Sequence, residues 1–457
     1  MPILVRKETD TTTRRIRNLE SLLSLFAPIP TDWPKLGKRQ TADDTPGLGC
    51  FACDNFAELR AAWEVALKWT EGLNRGLAVM LASVASTKSV GDQLWIKLVS
   101  PASSAKTRLA EALGVARQYV VLKDTIRGFT SGYKLEDGTT ADLLSELDGM
   151  TFITTDGDTL LQSMNLPNIL AEGRRAYDGS LRSHFKNNTG KTVDGHRMTW
   201  ILCGTASLNA IDSSELGERF LTCVMMDHID DVLEDEILWK VANRAEEELS
   251  ILSDGKPESH REPKLTHAMQ LTGGYVEYLR ENANALLQTI TMSDKVKHVC
   301  TRLGKFVSYM RARPSKHQDE RAEREFAARL VIQHVRLAKC LAVVLNRSEV
   351  DKDVMEYTSQ VAMDTARGPT LDICRSLYKA PAGLTSASIE LSPSRGMEKS
   401  RTMLRFLRQI GAIEKFTPRV NGANQKERYR LTDKFRKLYV EVMQADEHAP
   451  VADDVPF

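Results

Sequence analysis

Residues 94–110, LWIKLVSPASSAKTRLA, constrain this chain more than any other stretch. A short apolar run ends in small residues, then Lys-Thr, then helix formers. That is the layout of a strand, a tight turn and a helix N-terminus. A loop that cradles phosphate follows the template G-x-x-x-x-G-K-[ST]. Here Ser100 and Ala105 stand at the two glycine positions, while Lys106 and Thr107 are in place. Lys106 is expected to pair with β/γ-phosphate oxygens, and the Thr107 hydroxyl to hold Mg2+. Ser100, Ser103, Ser104 and Ala105 would line the loop, with the helix N-terminus aiming free N–H groups at the anion. The Cβ of Ala105 crowds the backbone where phosphate must approach.

A chain of 457 residues has room for two or three domains. Its formal net charge is only +1, so any nucleic-acid binding must come from local patches. Seven scattered cysteines fit a reducing compartment. Cys50 and Cys53 form a lone CxxC with no second pair at metal spacing, which reads as two ordinary thiols. No secretory leader and no bilayer-length apolar run stand out, so a cytoplasmic protein with no membrane partner is expected.

Residues 1–52 read as a polar arm, with a short helix near 17–26. Helices follow over 56–73 and near 77–84, then a strand over 94–99, a helix to about 113 and a strand over 119–122. Residues 150–158, MTFITTDGD, read as a buried strand ending in acids. Asp156 is the natural Mg2+ and water partner of Thr107. Gly157 follows it, and the next acid is Asp158. A strand-end Asp taken alone is more simply a helix cap. Residues 180–198 suggest a hairpin studded with Arg182, Lys186, Lys191 and Arg197, side chains suited to a phosphate backbone. A buried strand over 199–204 leads to Thr205 and Ser207, placed to sense a γ-phosphate. Arg219 stands in LGERF, ahead of another apolar stretch. The chain then turns helical, over 231–251, 265–291, 293–311, 320–345 and 350–367, with Arg324 and Arg329 early in the fourth.

Residues 370–443 change rhythm. Helices are expected over 371–378, 381–391 and 398–410, then a hairpin over 413–432 around Asn421-Gly422, then a helix over 434–443. Three helices and a hairpin make a winged helix. Lys399, Arg401 and Arg405 lie on its third helix and Arg428 on the wing, where both would meet DNA. Winged helices also dock proteins. The tail, 444–457, is short and acidic and is expected to be disordered.

Residues 56–367 together resemble an AAA+ ATPase, and most of all the clade with an extra hairpin before sensor 1, which includes the minichromosome-maintenance helicases. Helicase-like ATPases of phages and mobile elements are similar. The resemblance implies an α/β AAA+ core, an αβα sandwich of the P-loop NTPase type, with a helical lid and then an α+β winged-helix domain. Its boundaries would be an arm over 1–52, the core over 53–230, the lid over 231–367, the winged helix over 368–443 and the tail over 444–457. Residues 100–107 would be Walker A, with Asp156 ending Walker B. Thr205 would be sensor 1, Arg219 an arginine finger, and Arg329, or else Arg324, sensor 2. ATP and Mg2+ would be the cofactors, with Asp158 in place of the Glu that many ATPases carry directly after the Walker B Asp. An arginine finger in trans implies a homo-oligomer, most simply a hexamer, acting on single-stranded or forked DNA. The ending Asp453-Asp454-Val-Pro456-Phe457 resembles the tip of bacterial single-stranded-DNA-binding protein. That implies recruitment of host replication proteins in a bacterial cytoplasm, Phe457 filling an apolar pocket and the two acids meeting a basic rim. Three readings follow: an ATP-driven DNA motor, a non-catalytic scaffold that binds DNA and recruits partners, or a winged-helix transcription regulator.

Overall fold

The computed structural model describes residues 48–102, 104–130, 143–184, 190–213, 219–226, 231–250, 263–312, 324, 326–389, 397–420 and 423–446. The helix expected over 17–26, Ser103, Lys186 and the tail with Asp453, Asp454, Pro456 and Phe457 lie outside the described residues.

Helices α1 (Phe56–Ala66) and α2 (Glu71–Ser86) stand where helices were expected over 56–73 and near 77–84, with the break between them moved forward to 67–70. The break has a local cause: Leu67 is extended, and the Thr70 hydroxyl caps α2 by accepting from Leu73 N at 3.2 Å. Strand β1 (Trp95–Val99) and helix α3 (Lys106–Leu113) come next, then β2 (Val120–Lys123), α4 (Leu143–Glu146) and β3 (Thr151–Thr154). Short α5 (Gly157–Leu161) and α6 (Leu166–Tyr177) precede a hairpin of β4 (Ser180–His184) and β5 (Gly190–Asp194). After β6 (Thr199–Gly204), a 3-10 helix (Ala206–Ser213) leads toward β7 (Phe220–Val224).

Five of these strands form one parallel sheet in the order β2-β3-β6-β1-β7. A parallel sheet must be covered on both faces, and its strands alternate to suit. Ile96, Leu98, Ile153, Ile201, Cys203, Leu221 and Cys223 belong to one buried layer. Trp95, Val99, Phe152, Trp200, Leu202, Phe220 and Val224 belong to the other. Trp200 centres the second layer, with its ring 5.2 Å from Phe129 and 5.4 Å from Trp95.

Helices α7 (Asp231–Ser250), α8 (Pro263–Thr289), α9 (Asp294–Arg311), α10 (Ala328–Val344) and α11 (Lys352–Ala366) follow. The last four share the first buried layer with α2. Helix α10 begins at Ala328, so Arg324 precedes it and Arg329 sits in its first turn. Helix α11 closes the sheet edge. The β7 amides of Thr222 and Val224 donate to Thr365 Oγ1 at 2.9 Å and Asp364 Oδ2 at 2.8 Å. An open edge is thus answered by side chains in place of a sixth strand.

The C-terminal region holds α12 (Pro369–Lys379), α13 (Met397–Gln409), β8 (Ile413–Phe416), β9 (Arg419–Val420), β10 (Ala423–Asn424), β11 (Arg428–Leu431) and α14 (Asp433–Asp446). β8 pairs antiparallel with β11, and β9 pairs with β10. The helix expected over 381–391 is absent from its described part. Residues 381–389 are turns around Leu384, which bridges to Tyr429 and adds to the hairpin. α14 packs back on α9, with Phe435 5.0 Å from Tyr309 and Glu441 paired to Arg302 at 3.3 Å. Among the described residues no helix is long and apolar enough to cross a membrane.

His334 of α10 is fully buried, with Nδ1 2.6 Å from Leu330 O. Burial drives it from its ordinary 6.5 down to about 4. The unfolded chain takes up this proton near the ordinary value, while the fold refuses it until well below. Stability from the neutral ring is therefore full above pH 6.5 and is lost as pH falls toward 4. The loss is of order 3 kcal/mol. Urea midpoints measured on both sides of this window are expected to fall with pH, and to fall less in His334→Leu.

Candidate nucleotide-binding site

In the sheet order, β1 has β6 on one side and β7 on the other, and the chain departs from β1 to the far edge at β2. The crevice beyond the carboxyl ends of strands at such a reversal is where α/β sheets bind ligands. The Lys106 loop occupies that position.

β1 is buried along its length, and Ser100 continues it by donating its N–H to Gly204 O at 3.2 Å. The Ser104 hydroxyl ties the turn by donating to Pro101 O at 2.7 Å. Ala105 then adopts φ 65, ψ 2, the left-handed region, and caps α3 without a side-chain bond. That conformation costs a Cβ-bearing residue about 1–2 kcal/mol and is the one glycine takes freely. The loop thus makes a glycine-like turn with alanine in that position.

Lys106 is only 9% exposed. Its ammonium folds back onto the loop, donating to Ser100 O and, at 2.8 Å, to Pro101 O. Burial lowers its proton affinity, opposed by the thiol of Cys203 and the carboxylate of Asp158. Thr107 is exposed in the first turn of α3. The first N–H groups of that turn have no intrahelical acceptor. Cation, free N–H groups and the left-handed turn suit a polyphosphate. Among the described residues no cluster of three or more His, Cys, Asp or Glu is arranged to hold a metal. Mg2+ at this site would arrive with phosphate and water ligands, Thr107 and Asp156 adding the protein's share.

Asp156 follows β3 and caps α5. Its carboxylate accepts from Thr159 N at 3.1 Å and from the Thr159 hydroxyl. The hydroxyl bond, then the N–H bond, hold its pKa below the ordinary carboxylate value. Gly157, the next residue, has no room for a side chain. A Cβ there would lie 2.8 Å from Leu202 Cδ1 and from Leu208 Cδ2, and 2.9 Å from Cys203 O. Asp158 is engaged elsewhere. It accepts from Thr205 N at 3.0 Å, from Thr205 Oγ1 at 3.1 Å and from the Ser207 hydroxyl. The structure therefore brings Lys106, Asp158 and Thr205 into one neighbourhood. Gly204 was not anticipated: a Cβ there would come 3.1 Å from Asp158 Oδ1, so its lack of a side chain admits this carboxylate. A glycine closing a buried strand was the available signal.

Arg219 and Arg329 lie at the other edge. Arg219 immediately precedes β7 and is 6% exposed. Its Nη2 donates to both oxygens of Asp178, at 3.2 and 3.0 Å, and its guanidinium lies 5.6 Å from the Tyr177 ring. Gln333 of α10 donates to Arg219 O at 2.8 Å. Tyr177 feels the charges of both arginines, and its ring meets Trp95 edge-on at 5.1 Å, at the start of β1. The length of a five-residue strand, about 16 Å, separates this edge from the Lys106 loop. Arg324 lies over the Tyr309 ring at 4.1 Å.

The basic residues expected on DNA surfaces are dispersed. Arg182 and Lys191 lie on the β4–β5 hairpin, in register with Thr192 and Ser183. Arg197 spends its guanidinium on the carbonyls of Ser89 and Gly91. Arg401 and Arg405 are exposed one turn apart on α13, which also carries Lys399, over buried Leu404 and Leu407. Arg428 of β11 donates to Ala382 O at 3.4 Å.

No protein-family model matches this chain, and no curated protein matches it. Two glycine-site variants test the loop geometry. Ala105→Gly relieves the left-handed Cβ and is expected to raise unfolding stability by roughly 0.5–1 kcal/mol. Gly157→Ala overpacks the crevice and is expected to lower it by about 1–3 kcal/mol. Urea denaturation reads both, and the reverse sign in either contradicts the geometry described.

Proposed function

We propose that the chain is an AAA+-type, helicase-like replication protein of a phage or mobile element that binds Mg-ATP at the carboxyl edge of its sheet. The observation that carries this reading is Ala105, held left-handed so that Lys106 opens α3 directly beyond the end of β1. On this reading the ammonium of Lys106 exchanges the carbonyls of Ser100 and Pro101 for phosphate oxygens. Thr107 and Asp156 complete the Mg2+ shell, and Thr205 reports on the γ-phosphate. Homo-oligomers, most simply hexamers, bring Arg219 toward a neighbouring copy, which requires it to leave Asp178. DNA runs along the β4–β5 hairpin and the Arg401–Arg405 face of the winged helix. The DDVPF tail recruits host replication proteins.

One observation favours a second reading, a scaffold that holds nucleotide and DNA without turnover. Gly157 leaves no space for a catalytic Glu, and Asp158 is tied to Thr205 and Ser207.

Mg-ATP binding and hydrolysis, with and without single-stranded DNA, test both readings beside Lys106→Ala. Lys106→Ala is expected to weaken ATP binding at least about tenfold through loss of a charge-assisted contact. DNA-stimulated turnover lost in that variant supports the motor. Binding without turnover in the unaltered chain supports the scaffold. No ATP binding by the unaltered chain overturns both.

A further inference from the structure

The edge of the sheet opposite the Lys106 loop gathers four cations on two turns. Arg197 donates to the carbonyls of Ser89 and, at 3.3 Å, Gly91. Arg336 of α10 donates to Ser89 Oγ at 2.8 Å and to Val90 O. Arg280 of α8 donates to Gly149 O, and Gly149 N donates in turn to Arg197 O at 2.6 Å. Lys88 is exposed beside them, its Cε 3.7 Å from where a Cβ on Gly149 would stand.

Every acceptor these three guanidinia use is neutral. Among the described residues none of the four cations pairs with a carboxylate. Asp92 and Asp148 lie on the same turns, and Asp148 accepts the Arg197 amide at 3.0 Å, so the group stays net positive. Nε and Nη1 of Arg280 are buried with no partner, and its guanidinium lies 5.2 Å from the Tyr119 ring. A desolvated guanidinium without an anion is costly, and an anion at the surface above it would offset its charge. The hairpin β4–β5 rises from this same edge, where His196 N donates to Gly179 O at 3.2 Å. Val90, at the tip of the turn, is 87% exposed, so the surface is open.

We propose that this edge is a second contact for the nucleic-acid backbone, in which Lys88, Arg336 and Arg197 carry phosphates from the foot of the hairpin onto the body of the protein, while Arg280 adds its charge from beneath. It rests on the DNA-binding reading above but names a surface separate from the winged helix. Backbone carbonyls fix the arginines beforehand, so little side-chain order is lost on binding. Sequence-independent binding with a strong salt dependence is the signature.

Fluorescence anisotropy with a labelled oligo-dT and the full chain tests it. Lys88 makes no hydrogen bond among the described residues, so Lys88→Glu is expected to leave the melting temperature unchanged. The Kd should rise about five- to tenfold, and the slope of log K against log salt should shrink by about 0.7 for the lost phosphate contact. Arg405→Glu reads the winged helix independently. Unchanged Kd and slope in Lys88→Glu, with the unaltered chain binding DNA, overturn the proposal and leave the arginines as staples of two turns. Absence of DNA binding by the unaltered chain overturns the underlying DNA reading as well.

Discussion

The structure depends on β1, a strand buried on both faces with a parallel neighbour on each side. Even Lys97, at its centre, is fully buried. A strand so placed admits no local slack. Its two ends become the fixed points from which both edges of the molecule are built. At the carboxyl end the chain must turn at once into α3, and it does so through the left-handed Ala105. At the amino end Trp95 anchors the aromatic layer, donating its indole N–H to Met198 O at 2.9 Å. Parallel pairing also sets where chemistry belongs. All five carboxyl ends meet the Lys106 side, and all five amino ends meet the arginine-rich side.

The two halves of the proposed nucleotide site differ in how far they are prepared. On the binding side, loop, cation and helix N-terminus converge, and the strain at Ala105 is held by the surrounding packing. On the hydrolytic side, the crevice between β3 and β6 is closed. Leu202, Leu208 and Cys203 O fill the space beside Gly157, and Asp158 knits the two strands together through Thr205 and Ser207. Those bonds stabilise the same edge that a water-activating carboxylate would have to leave free. On the proposed function, nucleotide binding with slow turnover would follow from this one packing arrangement.

Much of the core was legible because its signals are local. Short apolar runs at 94–99 and 199–204 marked strands close to their observed extent, and Lys106-Thr107 marked the start of α3. The break between α1 and α2 was expected near 74–76 and falls at 67–70, because the apolar spacing continues through it and the Thr70 cap sets its place. The missing helix near 381–391 reflects tertiary pairing: Leu384 bridges Tyr429, far along the chain, and that bond outweighs local helix preference. Arg219 was legible as a charged residue before a strand, but its burial was not. Asp178, Tyr177 and Gln333 surround it from other elements, and no spacing rule joins them. Gly157 and Gly204 show the same limit, because a glycine in sequence does not say what its missing side chain would strike.

On the proposed function, the turn from β1 into α3 is a phosphate cradle. Amide hydrogen exchange on the full chain, with and without Mg-ATP, tests it most directly. Slowed exchange is expected over residues 100–109, with a smaller effect around Asp156 and Thr205. Unchanged exchange in that loop at saturating nucleotide, or protection confined to another part of the chain, would contradict it.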